Sequence, residues 1–112
     1  MRKLINGIVD FRKNLTEENK VLFANLALGQ KPDALFIACS DSRVVPNLFA
    51  STNPGDLFVL RNIGNLIPSF SSAPQDSCGA AALEFSVMSL NISNIIICVV
   101  YVGRICVLEM IA

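Results

Sequence analysis

The run ALFIACS at residues 34–40 is continuously apolar up to its last position, and this constrains the chain more than any other feature. A strand with one wet face alternates apolar and polar residues. An unbroken apolar run of strand length belongs instead to a strand covered on both faces, as in a parallel sheet flanked by helices. Two further segments repeat the pattern, LFVLRN at 57–62 and IIICVVYV at 95–102. Turns precede the first two, at Lys31-Pro32-Asp33 and at NPGD, residues 53–56.

Helical signals lie between these runs. TEENKVLFANLALG at 16–29 opens with Thr16 as N-cap and with Glu17 and Glu18 where the helix dipole favours negative charge, and Gly29 ends it. Val21, Ala24 and Leu28 share one face, with Leu22 and Leu26 on an adjoining one, so a broad side of this helix is expected to be buried. LINGIVDFRKNL at 4–15 reads as an arm or a short helix. IPSFSSAPQDS at 67–77 is a polar loop, GAAALEFSVMSL at about 79–90 a helix, and Asn91 to Asn94 break it. The order helix, strand, strand, helix, strand predicts an α/β fold with a mainly parallel β-sheet flanked by helices. Residues 1–112 are expected to form a single domain.

Apolar residues make up 53% of the 112 and charged residues 16%, against about 45–50% and about 25% in ordinary domains. That excess suits a subunit interface or a piece of a larger fold. Nine basic and nine acidic residues cancel, which argues against a nucleic-acid or anionic-membrane partner. The longest apolar stretch, residues 95–103, is far short of the roughly 20 residues that span a bilayer, so no membrane span is expected. The start carries Arg2 and Lys3 but no long apolar region and no small-residue cleavage site, so the cytoplasm is the expected compartment. Cysteines at 39, 78, 98 and 106 then read as reduced thiols or metal ligands, and histidine is absent.

CSDSR at 39–43 places a thiol, a carboxylate and a guanidinium at the C-terminal end of the first strand, where open parallel sheets bind ligands. Cys39 is a soft zinc donor, Asp41 can add an oxygen or accept a hydrogen bond at the same metal, and Arg43 keeps Asp41 ionised. The plain structural alternative is a buried strand-end thiol followed by a turn and a solvated arginine. A phosphatase-type loop needs an arginine six positions after the cysteine, where this chain has Val45. A thiol-based redox module finds no C-x-x-C.

CSDSR, with GQKP at 29–32 before it and NPGDLFVLRNIGNLIP at 53–68 and GAAALEFSVMSLNISNIIIC at 79–98 after it, closely resembles the N-terminal half of the β-class carbonic anhydrases. The resemblance covers about residues 3–98. It implies a zinc lyase interconverting carbon dioxide and bicarbonate, in which the metal lowers the pKa of bound water. It further implies that Cys39 is a zinc ligand. Asp41, paired with Arg43, is then either the carboxylate that accepts a hydrogen bond from the metal-bound hydroxide or, in a closed form, a ligand itself. Gln30 would orient substrate and Phe58 would form an apolar wall, both in a site completed by a neighbouring subunit, so a homodimer or higher oligomer is implied.

After the third strand the family pattern resembles IIICGHSDCGAM, whereas this chain reads IIICVVYVGRICVLEMIA. The histidine position holds Val100 and the cysteine position Gly103. Cys106 lies three residues further on, and DSCGA at 76–80 imitates the missing motif but precedes a helix, so Cys78 reads as a helix-start residue. Residues 99–112 thus form a divergent tail, as expected of a truncated or frameshifted, non-catalytic remnant with an incomplete zinc site. Without further family elements, the sheet edge beside the third strand is expected to be uncovered and prone to aggregation.

Overall fold

The computed structural model describes residues 1–67, 69, 77–101 and 104–111, which divide into two compact units, Met1–Gln30 and Lys31–Ala112. Among the described residues no helix is long and apolar enough to cross a membrane.

The first unit holds helices α1 (Arg2–Lys13) and α2 (Glu17–Leu26). The predicted cap is present: the Asn19 N–H donates to Thr16 Oγ1 at 3.2 Å, and Lys20 pairs with Glu17 one turn along. Phe11 and Phe23 meet edge to face, their ring centroids 6.3 Å apart. The expected burial of α2 is not found, since neither helix has a buried residue and Val21 and Leu28 are exposed. Two helices of 12 and 10 residues are too short to enclose a core between them. The α-helix also stops at Leu26, with Ala27 as its C-cap, before reaching Leu28 and Gly29.

The second unit is built on a four-stranded sheet. Its strands are β1 (Ala34–Cys39), β2 (Leu57–Asn62), β3 (Asn94–Tyr101) and β4 (Arg104–Ile111), in spatial order β2-β1-β3-β4. β1 is central and pairs in parallel with β2, from Ala34 opposite Leu57 to Cys39 opposite Asn62, and with β3, from Leu35 opposite Ile95 to Ala38 opposite Cys98. The unbroken apolar run therefore has the predicted cause. Phe36 and Ala38 pack with Val44 and Cys98 on one face, while Leu35 and Ile37 pack with Ile92 on the other.

Short elements connect the strands. α3 (Pro46–Phe49) starts with proline at its first turn, where the missing N–H costs nothing, and Phe49 packs against Phe36. The NPGD turn closes as expected, Asn53 N–H donating to Asp56 Oδ2 at 2.7 Å and Asp56 N–H to the Asn53 carbonyl at 3.2 Å. α4 (Ser77–Glu84) runs into a π-helical turn at Phe85–Ser89, so the segment read as one helix over 79–90 changes its winding. There the Leu90 N–H reaches the carbonyl of Phe85, and buried Ser86 donates its hydroxyl to Leu83 O at 2.8 Å. Asn91, at a φ of 53°, turns the chain out of the helix. The polar loop expected at 67–77 lies mostly outside the described residues.

A second expectation is overturned. The β3 edge is not open, because β4 from the divergent tail pairs with it antiparallel, from Asn94 opposite Ile111 to Tyr101 opposite Arg104. The tail RICVLEMI is rich in β-branched and other apolar residues, and it lies within hairpin reach of an unpaired strand.

Candidate metal and substrate site

Cys39 is the last residue of β1, and the ladder continues for one more bond, from the Ser40 N–H to the Asn62 carbonyl at 2.8 Å. The chain then turns. Asp41 Oδ1 accepts the Arg43 N–H at 2.9 Å, and the Asp41 carbonyl accepts the Val44 N–H at 3.0 Å. Such a side-chain-closed turn is what aspartate provides two residues before a backbone donor. Val44, fully buried among Phe36, Ala38 and Cys98, anchors the far end.

Arg43 grips the same carboxylate by both oxygens, with Nε 3.0 Å from Oδ1 and Nη2 2.6 Å from Oδ2. The Asp41 side chain is 28% exposed and that of Arg43 79%. The Arg43 side chain, and then its backbone N–H, hold the Asp41 carboxyl well below the usual carboxylate range, and Asp41 in turn raises the Arg43 guanidinium. Asp41 is thus fixed as an anion that can only accept hydrogen bonds.

The thiol has a second setting. After β2 the chain makes a tight turn at Ile63–Asn65, closed by Asn62, whose amide donates to the Leu66 carbonyl and accepts the Leu66 N–H, each at 2.7 Å. Gly64, at a φ of 79°, turns its N–H to Cys39 Sγ at 3.4 Å. Backbone N–H groups of Asp41 and then Gly64 lower the Cys39 thiol below its ordinary value, against the opposing effects of burial and of the Asp41 charge.

Cys39, Asp41 and Arg43 are therefore together at one strand end. Gln30 closes the first unit. Phe58 is not beside Cys39: it pairs with Leu35, four positions back along β1, and stacks on Phe85 with ring centroids 5.8 Å apart. Ala38 lies opposite Cys98, so Val100 stands two residues on in β3, level with Ser40. Gly103 lies outside the described residues. Cys106 pairs with Val99, which puts its backbone two strands across from Cys39, about 10 Å away by strand spacing. Cys78 is the second residue of α4 and exposed.

These positions test the fit of zinc. A zinc centre takes three or four protein donors, and among the described residues no group of three His, Cys, Asp or Glu side chains could hold a metal ion. The expected histidine position is Val100, a residue type with no donor atom in its side chain, and the chain has no histidine at all. The donor set among the described residues does not fit zinc. A cavity of about 370 Å³ lies at the other end of the strands, lined in part by Asp33, Phe36, Asp56 and Asn94. It shares no residue with the CSDSR turn.

Arg61, not singled out in the sequence, is the additional residue at the turn. It donates to the carbonyls of Cys39 and Asp41. Its only sequence signal is a position next to the end of the strand that neighbours β1.

The family described as carbonic anhydrase matches residues 34–99, more than half of the chain. The carbonic anhydrase of Synechococcus elongatus is 45% identical over 98 residues, an overlap of 88% of this chain and 35% of that protein. That of Pseudomonas aeruginosa is 44% identical over 98 residues, covering 88% and 44%. Among solved structures, the β-carbonic anhydrase CcaA superposes with a TM-score of 0.78 at 44% identity, covering 85% of this chain and 42% of that one. A tetrameric β-carbonic anhydrase of Sordaria macrospora gives 0.74 at 32% identity, covering 88% and 47%. The chain spans less than half the length of these relatives. The family match, the identity to curated carbonic anhydrases and the superposition on solved β-carbonic anhydrases together place this chain in the carbonic anhydrase family, in its β class.

Proposed function

We propose that the chain carries one half of a β-carbonic anhydrase centre, for reversible zinc-dependent hydration of carbon dioxide to bicarbonate, and that it does not complete that centre by itself. Cys39 is one thiolate donor, and Asp41, held by Arg43, is the gatekeeping carboxylate or a second donor. Gln30 and Phe58 serve the substrate pocket of a neighbouring subunit in a homodimer or higher oligomer. What supports this arrangement for Phe58 is its pairing with Leu35, away from Cys39 of the same chain. We read residues 1–112 as one partial domain with a divergent tail at 99–112, in the cytoplasm, with no nucleic-acid or membrane partner.

The observation that carries the incomplete-centre reading is Val100, level with the CSDSR turn where the third donor is needed. Zinc content by elemental analysis and carbon dioxide hydration by stopped flow test it on the purified chain. The expected result is well under one zinc per chain and no hydration above buffer. One zinc per chain with hydration overturns it.

A frameshift past the codon for Cys98 accounts for the change at the tail, since the family match ends at residue 99. Sequencing the coding DNA decides this. Another frame encoding the missing histidine and cysteine is expected, and its absence defeats the idea.

A further inference from the structure

β2 hands the turn a clamp from the neighbouring strand. Leu57 and Val59 pack on the Phe36 face of the sheet, and Arg61 is the next residue on that face by the two-residue period of a strand. At this level the sheet runs out to solvent, so the side chain is free to fold over the end of β1. Its Nε and Nη2 donate to the Cys39 carbonyl at 3.1 and 2.7 Å, and Nη2 also donates to the Asp41 carbonyl at 2.9 Å. The last ladder bond to β2 is the one from the Ser40 N–H to the Asn62 carbonyl, beyond which β2 turns away at Ile63–Asn65.

We propose that Arg61 is the positioning residue of the Cys39–Arg43 turn: by tying the carbonyls of Cys39 and Asp41 together, it sets the direction in which the thiol and the carboxylate face. The planar guanidinium suits the task because its donors are fixed relative to one another and bridge two carbonyls at once, where an ammonium is a point charge. The Asp41 carbonyl is held twice, by Arg61 and by the Val44 N–H that closes the turn, so the clamp and the turn share an atom. Neither acceptor is a carboxylate, and the hydrogen bonds to the Asp41 side chain among the described residues come from Arg43. The clamp requires no metal, so its loss and a failure to load zinc are separate outcomes.

Amide hydrogen exchange followed by NMR on the full chain separates positioning from general stability. The amides of Ser40, Arg43, Val44 and Gly64 report the turn, because each is bonded to an atom of residues 39–41 or to the facing Asn62. In Arg61→Ala they are expected to exchange about tenfold faster, the loss of a charge-assisted hydrogen bond, while Leu35 and Ile37 in β1 keep their rates. Arg61→Lys is expected to fall between. Unchanged turn amides, or β1 amides accelerated by the same factor, overturn the proposal. Where Arg61→Ala fails to fold, Arg61→Lys is read by the same two criteria.

Discussion

Arg43 Nη2 lies 2.6 Å from Asp41 Oδ2 while its Nε holds the other oxygen, so the two residues form a bidentate pair within a three-residue span. The pair is local and largely solvated. It therefore controls ionisation more than stability.

Removing the guanidinium should return Asp41 to ordinary behaviour. In Arg43→Leu, carboxyl NMR titration is expected to show the Asp41 pKa rising towards about 3.9. Because the folded pKa is depressed, the pair's contribution to stability is present above the unfolded pKa and is lost as pH falls through the folded value. Urea midpoints measured from pH 5 downward should thus fall less steeply in Asp41→Asn than in the parent chain. Equal slopes contradict this.

Gly64 at a φ of 79° is expected to resist substitution for a backbone reason. A Cβ there meets nothing closer than Leu66 Cγ at 3.7 Å, so crowding is not the cost. Gly64→Ala should lose about 1 kcal/mol from the left-handed conformation alone. Any shift of its N–H away from Cys39 removes a donor that favours the thiolate, so the pH midpoint for alkylation of Cys39 should rise. A midpoint that stays or falls counts against the Gly64 contact.

Restoring the two missing donors should restore metal binding if the register places them. Val100→His with Gly103→Cys is expected to raise zinc content from well under one to about one per chain, four donors being the usual complement when Cys39 and Asp41 are added. Each single variant should bind less. A double variant that remains metal-free, with its circular dichroism unchanged, argues that the β3 end is not where the centre is completed.

Deleting residues 104–111 should expose the β3 edge that β4 covers. An unpaired apolar strand edge recruits other chains, so light scattering is expected to show self-association at concentrations where the full chain shows less. Equal association leaves β4 without a protective role.

Leu35→Ala tests the two-sided core. Leu35 is fully buried at the centre of the sheet, and its truncation should cost about 2–5 kcal/mol. Leu28→Ala in the first unit, at a 91% exposed residue, should cost far less in the same urea titration.

Sequence alone determined the three apolar strands, the NPGD turn, the Thr16 cap and the crowding of Cys39, Asp41 and Arg43. Each rests on residues within a few positions of one another, and local spacing dictates them. It also determined that histidine is missing. What only the tertiary structure decided depends on residues brought together from distant positions. These are the central place of β1 between β2 and β3, the reach of Arg61 and the Gly64 N–H to Cys39, and the pairing of β4 that closes an edge expected to be open. The burial expected for α2 failed for a related reason: helical spacing shows which face is apolar, but whether anything covers that face is settled by packing.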